Sequence, residues 1–337
     1  MPSAPTQVTH RRVTFVVVGW NNADLLEGCL SSAARQTYSG VSIIYVDNGS
    51  TDGSVNLVRE RFPDVDILEL PSNEGFAIAN NIGITHAFQD PDCEYVALLN
   101  SDCRVAADWL ESLIRFAQDH PRGAGFQSPT FDYYDHSMLD SRGITITRFG
   151  VAAQLGHRER SAVISTRRVF GVNAAACVYA RRFLEAQPMG AEYFDTDMWM
   201  YLEDVDLAAR AVVTGWENWL VAGPAAHHMG SASSGKTPGL SGYMIYRNNP
   251  LVLVKNLPLP ILLVALTGLL AWDTRALANY MRARNYREAT FVIRGRLGSL
   301  RLLVRFARKR RSVLACRAAS TRAIVSLMIT GHAEDAR

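Results

Sequence analysis

The chain has 337 residues, 48% hydrophobic and 20% charged, an ordinary globular composition for one large domain with an appendage or for two domains. Its net charge of +3 conceals an asymmetry: residues 273–312 carry twelve Arg or Lys against two acidic residues, whereas residues 1–272 hold 20 basic and 28 acidic ones. The five cysteines (Cys29, Cys93, Cys103, Cys177, Cys316) form no CxxC pair and are odd in number, which argues against a disulfide framework or structural zinc and for a reducing compartment.

The opening MPSAPTQVTHRR has no apolar core before its arginines and is not expected to be a signal peptide. Apolar, β-rich runs follow at Val13–Val18, Val41–Val46, Val65–Leu70 and Tyr95–Leu99, separated by helix-like segments at Ala23–Gln36, Ser54–Phe62 and Ala77–Phe88. Strands alternating with helices of this length predict βαβ units and a parallel sheet covered on both faces. A further helix is expected at Ala107–His120 and a strand near Gly125–Ser128. Residues 131–168 are polar and aperiodic, and predict a long loop or short antiparallel strands over the sheet. Regular pattern returns at Val169–Tyr179, and a helix is predicted from Glu203 to just before Gly215. The small-residue run 230–242 reads as a flexible linker. Leu257–Trp272 is the most apolar stretch, but at 16 residues it is short of the ~20 that span a bilayer. A buried or interfacial helix is expected there.

Polar clusters close the first four strands: Gly19–Asn22 (GWNN), Asp47–Ser54 (DNGSTDGS), Asn73–Gly83 (NEGFAIANNIG) and Asn100–Asp102 (NSD). Each alone is an ordinary turn. Together they mark the carboxyl edge of an open α/β sheet, where ligands bind. The chain shows no GxGxxG, GxxxxGK[ST] or GxSxG, so a dinucleotide fold, a P-loop and an α/β-hydrolase have no direct support.

VVVGWNN, VDNGSTDGS, NEGFAIANNIG, LLNSD and the distant YLEDVDLAAR, in this order, resemble the family-2 glycosyltransferases, and most of all the rhamnosyltransferase-like enzymes of bacterial surface polysaccharides. The resemblance covers about residues 12–255 and implies a GT-A fold: a mostly parallel sheet flanked by helices, with a C-terminal helical appendage. The implied domains are a catalytic unit at 1–250, with a nucleotide-sugar half at about 12–105 and an acceptor half at 106–250, and a basic, helical, membrane-associated region at 251–337.

The resemblance also assigns residues. Gly19, Asn21, Asn73, Gly75, Phe76 and Asn80 would line the nucleotide-sugar site, with Gly75 allowing close approach. Asp47 would accept a hydrogen bond from the nucleobase, an Asx-turn being the structural alternative. Asp102 ends the family's D-x-D segment, here Asn100-Ser101-Asp102, and would hold Mg2+ or Mn2+ on the donor diphosphate. Asp204 would be the base that deprotonates the acceptor hydroxyl, with Glu203 orienting acceptor or base. His228 is the expected metal-coordinating histidine and His227 the runner-up, since neighbours on a strand face opposite ways. Arg247 would reach a phosphate, unless it is an ordinary surface residue. Trp199 would wall the acceptor site, and Gly171, in GVNAAAC, would leave room for a sugar.

The implied activity is inverting transfer from a nucleotide-diphospho-sugar, dTDP-L-rhamnose or a UDP-hexose or UDP-galactofuranose, to a lipid-linked or polysaccharide acceptor. A nucleotidyltransferase and a non-catalytic nucleotide-sugar sensor are the competing classes. The basic tail follows an apolar stretch, so an anionic membrane surface, and not nucleic acid, is its expected partner. That places the protein in the cytoplasm, peripheral at the inner face of the membrane. A homo-oligomer is left open.

Overall fold

The computed structural model describes residues 12–160, 163–230 and 239–329. Four strands and three helices alternate at the start: β1 (Arg12–Gly19), α1 (Ala23–Ala34), β2 (Val41–Asp47), α2 (Ser54–Arg61), β3 (Asp66–Glu69), α3 (Phe76–Ala87) and β4 (Cys93–Asn100). The strands pair in parallel in the order β3-β2-β1-β4, and register sets Gly19 level with Asp47 and Val18 level with Asn100. One sheet edge therefore collects the polar strand ends. β1, β2 and β4 are apolar on both faces because helices cover both, and Phe15, Val16, Tyr45, Val46, Val96 and Leu98 are buried.

The middle of the chain supplies β5 (Cys103–Val105), α4 (Trp109–Gln118), β6 (Gly123–Gln127), β7 (Thr130–Asp132), β8 (Leu139–Ser141), β9 (Ile144–Ile146), β10 (Ala152–Gln154), β11 (Arg167–Val169), β12 (Ala176–Ala180) and α5 (Arg181–Glu185). After a 3-10 turn at Thr196–Met198 come α6 (Glu203–Val213), β13 (Glu217–Leu220) and β14 (Ala226–His228). The large sheet has the order β11-β13-β6-β12-β4-β1-β2-β3 and is mixed, because β12 runs antiparallel to β4 and β6, and β11 to β13. The polar segment after residue 130 resolves into short strands: β7 and β8 join a four-stranded sheet, β5-β14-β7-β8, and β9 and β10 form a hairpin.

Four helices finish the chain: α7 (Leu240–Asn256), α8 (Leu259–Arg282), α9 (Tyr286–Ala315) and α10 (Thr321–Leu327). They share a second core with α6 and β9, built from Ile144, Val205, Ala209, Leu251, Leu262, Phe306 and Val313. Residue 250 thus lies inside α7, and α6 sits between two cores. Pro250 has no N–H to offer the Tyr246 carbonyl one turn back; the Arg296 guanidinium of α9 donates to it instead.

Two sequence expectations change here. The 230–242 linker is shorter than expected: Leu240–Gly242 are already helical, while residues 231–238 lie outside the described residues. The apolar stretch is longer than 16 residues as a helix, since α8 runs on through Asp273 and Arg275 for 24 residues. By length and composition it is the one helix among the described residues able to cross a membrane. Its polar extension is accommodated because Arg296 of α9 pairs with both oxygens of Asp273 (2.6 and 2.7 Å). One α8 face packs inward through Ile261, Leu262, Ala265 and Leu269, while Leu259, Leu263, Val264 and Leu270 stay exposed.

Candidate active site

A cavity of about 760 Å3 opens at the carboxyl edge of the sheet. Eleven expected residues line it: Gly19, Asn73, Gly75, Phe76, Asn100, Ser101, Asp102, Trp199, Glu203, Asp204 and His228. Five do not. Asp47 is buried, its Oδ1 accepting from the Tyr45 hydroxyl and its Oδ2 from the Ser50 N–H (both 2.9 Å). The Ser50 contact, three residues on, closes the turn that follows β2, at the level of Gly19. Asn21 has a left-handed backbone, and its side-chain oxygen accepts from the Thr51 N–H at 2.7 Å. Asn80 donates to the Phe76 carbonyl one turn back. Gly171 is a packing residue: a Cβ there would stand 2.3 Å from the Ala208 Cβ of α6. Its neighbours Asn173, Ala174 and Ala175 line the cavity in its place.

Arg247 is the clearest displacement. Its guanidinium donates to the carbonyls of Asp197 (2.8 Å) and Met198 (2.7 Å), and Arg247 is not among the residues lining the cavity. The next residue, Asn248, is fully buried and donates to the carbonyls of Met198, Met200 and Tyr201 (3.0, 3.0 and 2.7 Å). Both side chains clamp the segment leading into α6. That segment needs a clamp, because Trp199, Tyr201 and Leu202 have φ of 62°, 66° and 67°, a region disfavoured for side-chain-bearing residues. The clamped Trp199 lies against Gly75, where a Cβ would be 2.5 Å from the indole. Its carbonyl accepts from the Ala77 N–H, so the catalytic segment is tied to the first turn of α3.

Glu203 and Asp204 open α6 inside the cavity wall. Burial, then the neighbouring Asp204 charge, raise the Glu203 carboxyl well above its usual range, and its Oε2 has no hydrogen-bond partner. Burial also raises Asp204, to about 6, against hydrogen bonds from the N–H groups of Val205 and Ala174. Asp204 is therefore ionised near neutrality and can accept a proton. Glu203 holds its proton to higher pH than an ordinary glutamate.

The second chemical pole is at β14. His228 and His227 do face opposite ways: His227 packs against His136 with ring centroids 4.1 Å apart and the planes tilted by 39°, and His228 lines the cavity. His228 Nε2 is 3.4 Å from Asp102 Oδ1, and Nδ1 is 2.9 Å from Asp140 Oδ2. Burial opposes charge on the imidazole, but the two carboxylates outweigh it and push its pKa up to about 10. Asp102, Cys103 and His228 offer potential ligand atoms within 4.8 Å of one another. Burial pushes the Cys103 thiol well above its usual range, which leaves it protonated and a poor ligand. The remaining pair, the Asp102 carboxylate and the His228 imidazole once a cation displaces its Nε2 proton, suits Mg2+ or Mn2+.

The sequence reading missed Asn48, Asp140, Gln154, His157 and Asn173, all in the cavity wall, and the clamp residue Asn248. Asn248 carried a signal in its run Arg247-Asn248-Asn249, amides next to a strained segment. Asp140, Gln154 and His157 carried none, since the first two lie on three-residue strands and His157 in the turn after the second.

Residues 14–177 match the family model described as Glycosyl transferase family 2. The N-acetylglucosaminyl-diphospho-decaprenol L-rhamnosyltransferase of Mycobacterium tuberculosis is 29% identical over 243 residues, which is 66% of this chain and 78% of that protein. The succinoglycan biosynthesis protein ExoO of Rhizobium meliloti is 31% identical over 209 residues, 60% and 56% of the two chains. Among solved structures, a mannosyltransferase from Pyrobaculum calidifontis in complex with GDP-Man and Mn2+ superposes with a TM-score of 0.54 at 20% identity, covering 93% of this chain and 88% of that one. Residues 14–177 are therefore a family 2 glycosyltransferase domain, and the chain has the GT-A fold.

Proposed function

We propose that the protein transfers a sugar with inversion from a nucleotide-diphospho-sugar, dTDP-L-rhamnose in the first instance, to a hydroxyl of a lipid-linked saccharide. One observation carries the reading: an ionisable base, Asp204, and a carboxylate–imidazole pair, Asp102 and His228, line the same cavity. The rhamnosyl donor and lipid-linked acceptor follow the mycobacterial relative's name. A UDP-hexose or UDP-galactofuranose fits the same site chemistry.

Gly19, Asn48, Asn73, Gly75 and Phe76 form the donor end of the cavity, and Trp199 with Asn173–Ala175 its acceptor end. Asp102 and His228 would hold the cation, which supplies charge neutralisation to the departing diphosphate. Asp204 takes the acceptor hydroxyl proton as that oxygen attacks the anomeric carbon. Glu203, whose Oε2 has no partner within the chain, orients the incoming sugar. Incubation with a panel of nucleotide-sugars and a lipid-linked acceptor analogue tests this. The expected result is transfer only with Mg2+ or Mn2+ and an anomeric configuration opposite to the donor's by NMR. Retained configuration, or full activity in EDTA, contradicts it.

The acceptor would be met at an anionic membrane surface. Exposed Ile293, Leu297, Leu300 and Val304 repeat at helical spacing along α9, and exposed Arg294, Arg301 and Arg308 follow one residue round the helix. With the exposed leucines of α8 they form an apolar stripe edged by positive charge, the signature of an interfacial helix.

A further inference from the structure

We infer that Asp140 is a positioning residue for the cation site: it holds His228 by Nδ1 and so presents Nε2 beside Asp102. The inference rests on the proposed cation at Asp102 and His228. A neutral imidazole has one N–H and one lone pair. An acceptor fixed at Nδ1 takes the N–H and leaves Nε2 as the ligand atom, and such outer partners orient metal-bound histidines generally.

The backbone shows how Asp140 comes to be there. β7 and β8 pair Thr130 with Ser141 but Phe131 with Leu139, so Asp140 is an extra residue, a β-bulge. Bulges re-aim side chains and concentrate beside active sites. On the other side β7 pairs with β14, and its Asp132 lies level with His228. The bulge lets Asp140, one strand further out, bring Oδ2 to 2.9 Å from His228 Nδ1.

The carboxylate is itself held. Gln154 Nε2, from the β9–β10 hairpin, donates to the Asp140 carbonyl (2.5 Å) and to its Oδ1 (3.2 Å), and His157 Nδ1 lies 3.5 Å from Oδ1. That leaves Oδ2 for His228. Asp140, Gln154 and His157 all line the cavity. The polar segment after residue 130 therefore builds the support of the cation site, as well as covering the sheet.

The test is an EPR titration of the full chain with Mn2+ alone, with 15N-histidine labelling to read nitrogen hyperfine coupling. The expected Mn2+ affinity of Asp140→Ala is about 10–100-fold below wild type, with Asp140→Asn at the weaker end of the effect. The melting temperature of Asp140→Asn should be unchanged, and histidine coupling should be lost in Asp140→Ala. His228→Ala is the reference and should lose both affinity and coupling. If the Asp140 variants bind Mn2+ as wild type does and keep the coupling while His228→Ala does not, the positioning role is overturned and the cation site stands. If His228→Ala also binds as wild type, the cation site itself falls, and the role with it. Should Asp140→Ala fail to fold, the volume-preserving Asp140→Asn decides alone.

Discussion

Glu203 and Asp204 are adjacent carboxylates on one helical turn, yet their surroundings part them: Glu203 is 6% exposed with an orphaned oxygen, whereas Asp204 accepts the Val205 N–H at 2.7 Å. Burial raises both carboxyls, Asp204 to about 6 and Glu203 well above its usual range. Turnover should rise with pH through about 6, the pKa to which burial raises Asp204, and fall about tenfold per pH unit below it. The same shift has a sign for stability. The folded chain binds this proton more tightly than the unfolded one, so the group's contribution is present below pH ~4 and is lost as pH rises through the folded value. Asp204→Asn should therefore melt at or above wild type at pH 8, and the difference should shrink toward pH 4. A mutant that melts lower at pH 8 would show that ionised Asp204 is structurally favourable. Asn248→Ala removes the shared donor of three carbonyls in a strained segment. A loss of about 1–3 kcal/mol is expected from chemical denaturation. Turnover should also drop, by about 10–100-fold, because Trp199 and the base move off position.

At the scale of elements, α7 and α9 act on α6 through buried charge. Lys255 of α7 has no exposed surface and donates to Asp195 (2.6 Å) and Asp206 (2.8 Å). Arg210 and Asn256 complete the shell of Asp206, and Lys309 of α9 that of Asp195. Lys255→Met leaves two carboxylates short of a cation. It should cost about 3 kcal/mol in urea unfolding, at the lower end for a broken buried pair because Arg210 and Lys309 remain. An unchanged midpoint would mean the pairs contribute nothing net. The same contacts redirect any test of the membrane surface. Within the basic run, Lys309 is tied to Asp195, and Arg310 donates to the carbonyls of Val254 and Leu257 (both 2.6 Å). Replacing those two would loosen the fold. Arg294, Arg301, Arg308 and Arg311 are exposed. Their exchange for Gln should weaken binding to anionic vesicles by up to about 1 kcal/mol each and flatten its salt dependence. Leu263→Asp with Leu297→Asp should abolish binding at low salt. Equal flotation of wild type with neutral and anionic vesicles would remove the electrostatic part.

Across the whole molecule, the βαβ half was legible because each strand is a continuous apolar run and each polar cluster falls at a strand end; Asn100–Asp102 and Glu203–Asp204 needed no structure to be found. What stayed hidden depends on contacts far apart in sequence. Asp47 reads as a nucleobase ligand, and the contacts that hold its carboxylate at the strand end, from the Tyr45 hydroxyl and Ser50 N–H, are not visible in the sequence. Arg247 reads as a phosphate ligand until its guanidinium is seen on carbonyls 49 and 50 residues away. Asp140 acts through a bulge in a three-residue strand, which leaves no periodic trace. The long reach of α8 could not be read from hydropathy either, because its polar half is stabilised by Arg296, 23 residues on from Asp273. These distant contacts surround one cavity, lined by Asp204 and by the Asp102–His228 pair, the proposed base and cation site. That assignment is tested most directly by measuring donor affinity by calorimetry and transfer rate for Asp204→Asn, side by side with wild type, in Mn2+ buffer. The expected result is a turnover lower by at least about 10²-fold with donor affinity nearly unchanged. Wild-type turnover in Asp204→Asn would contradict it.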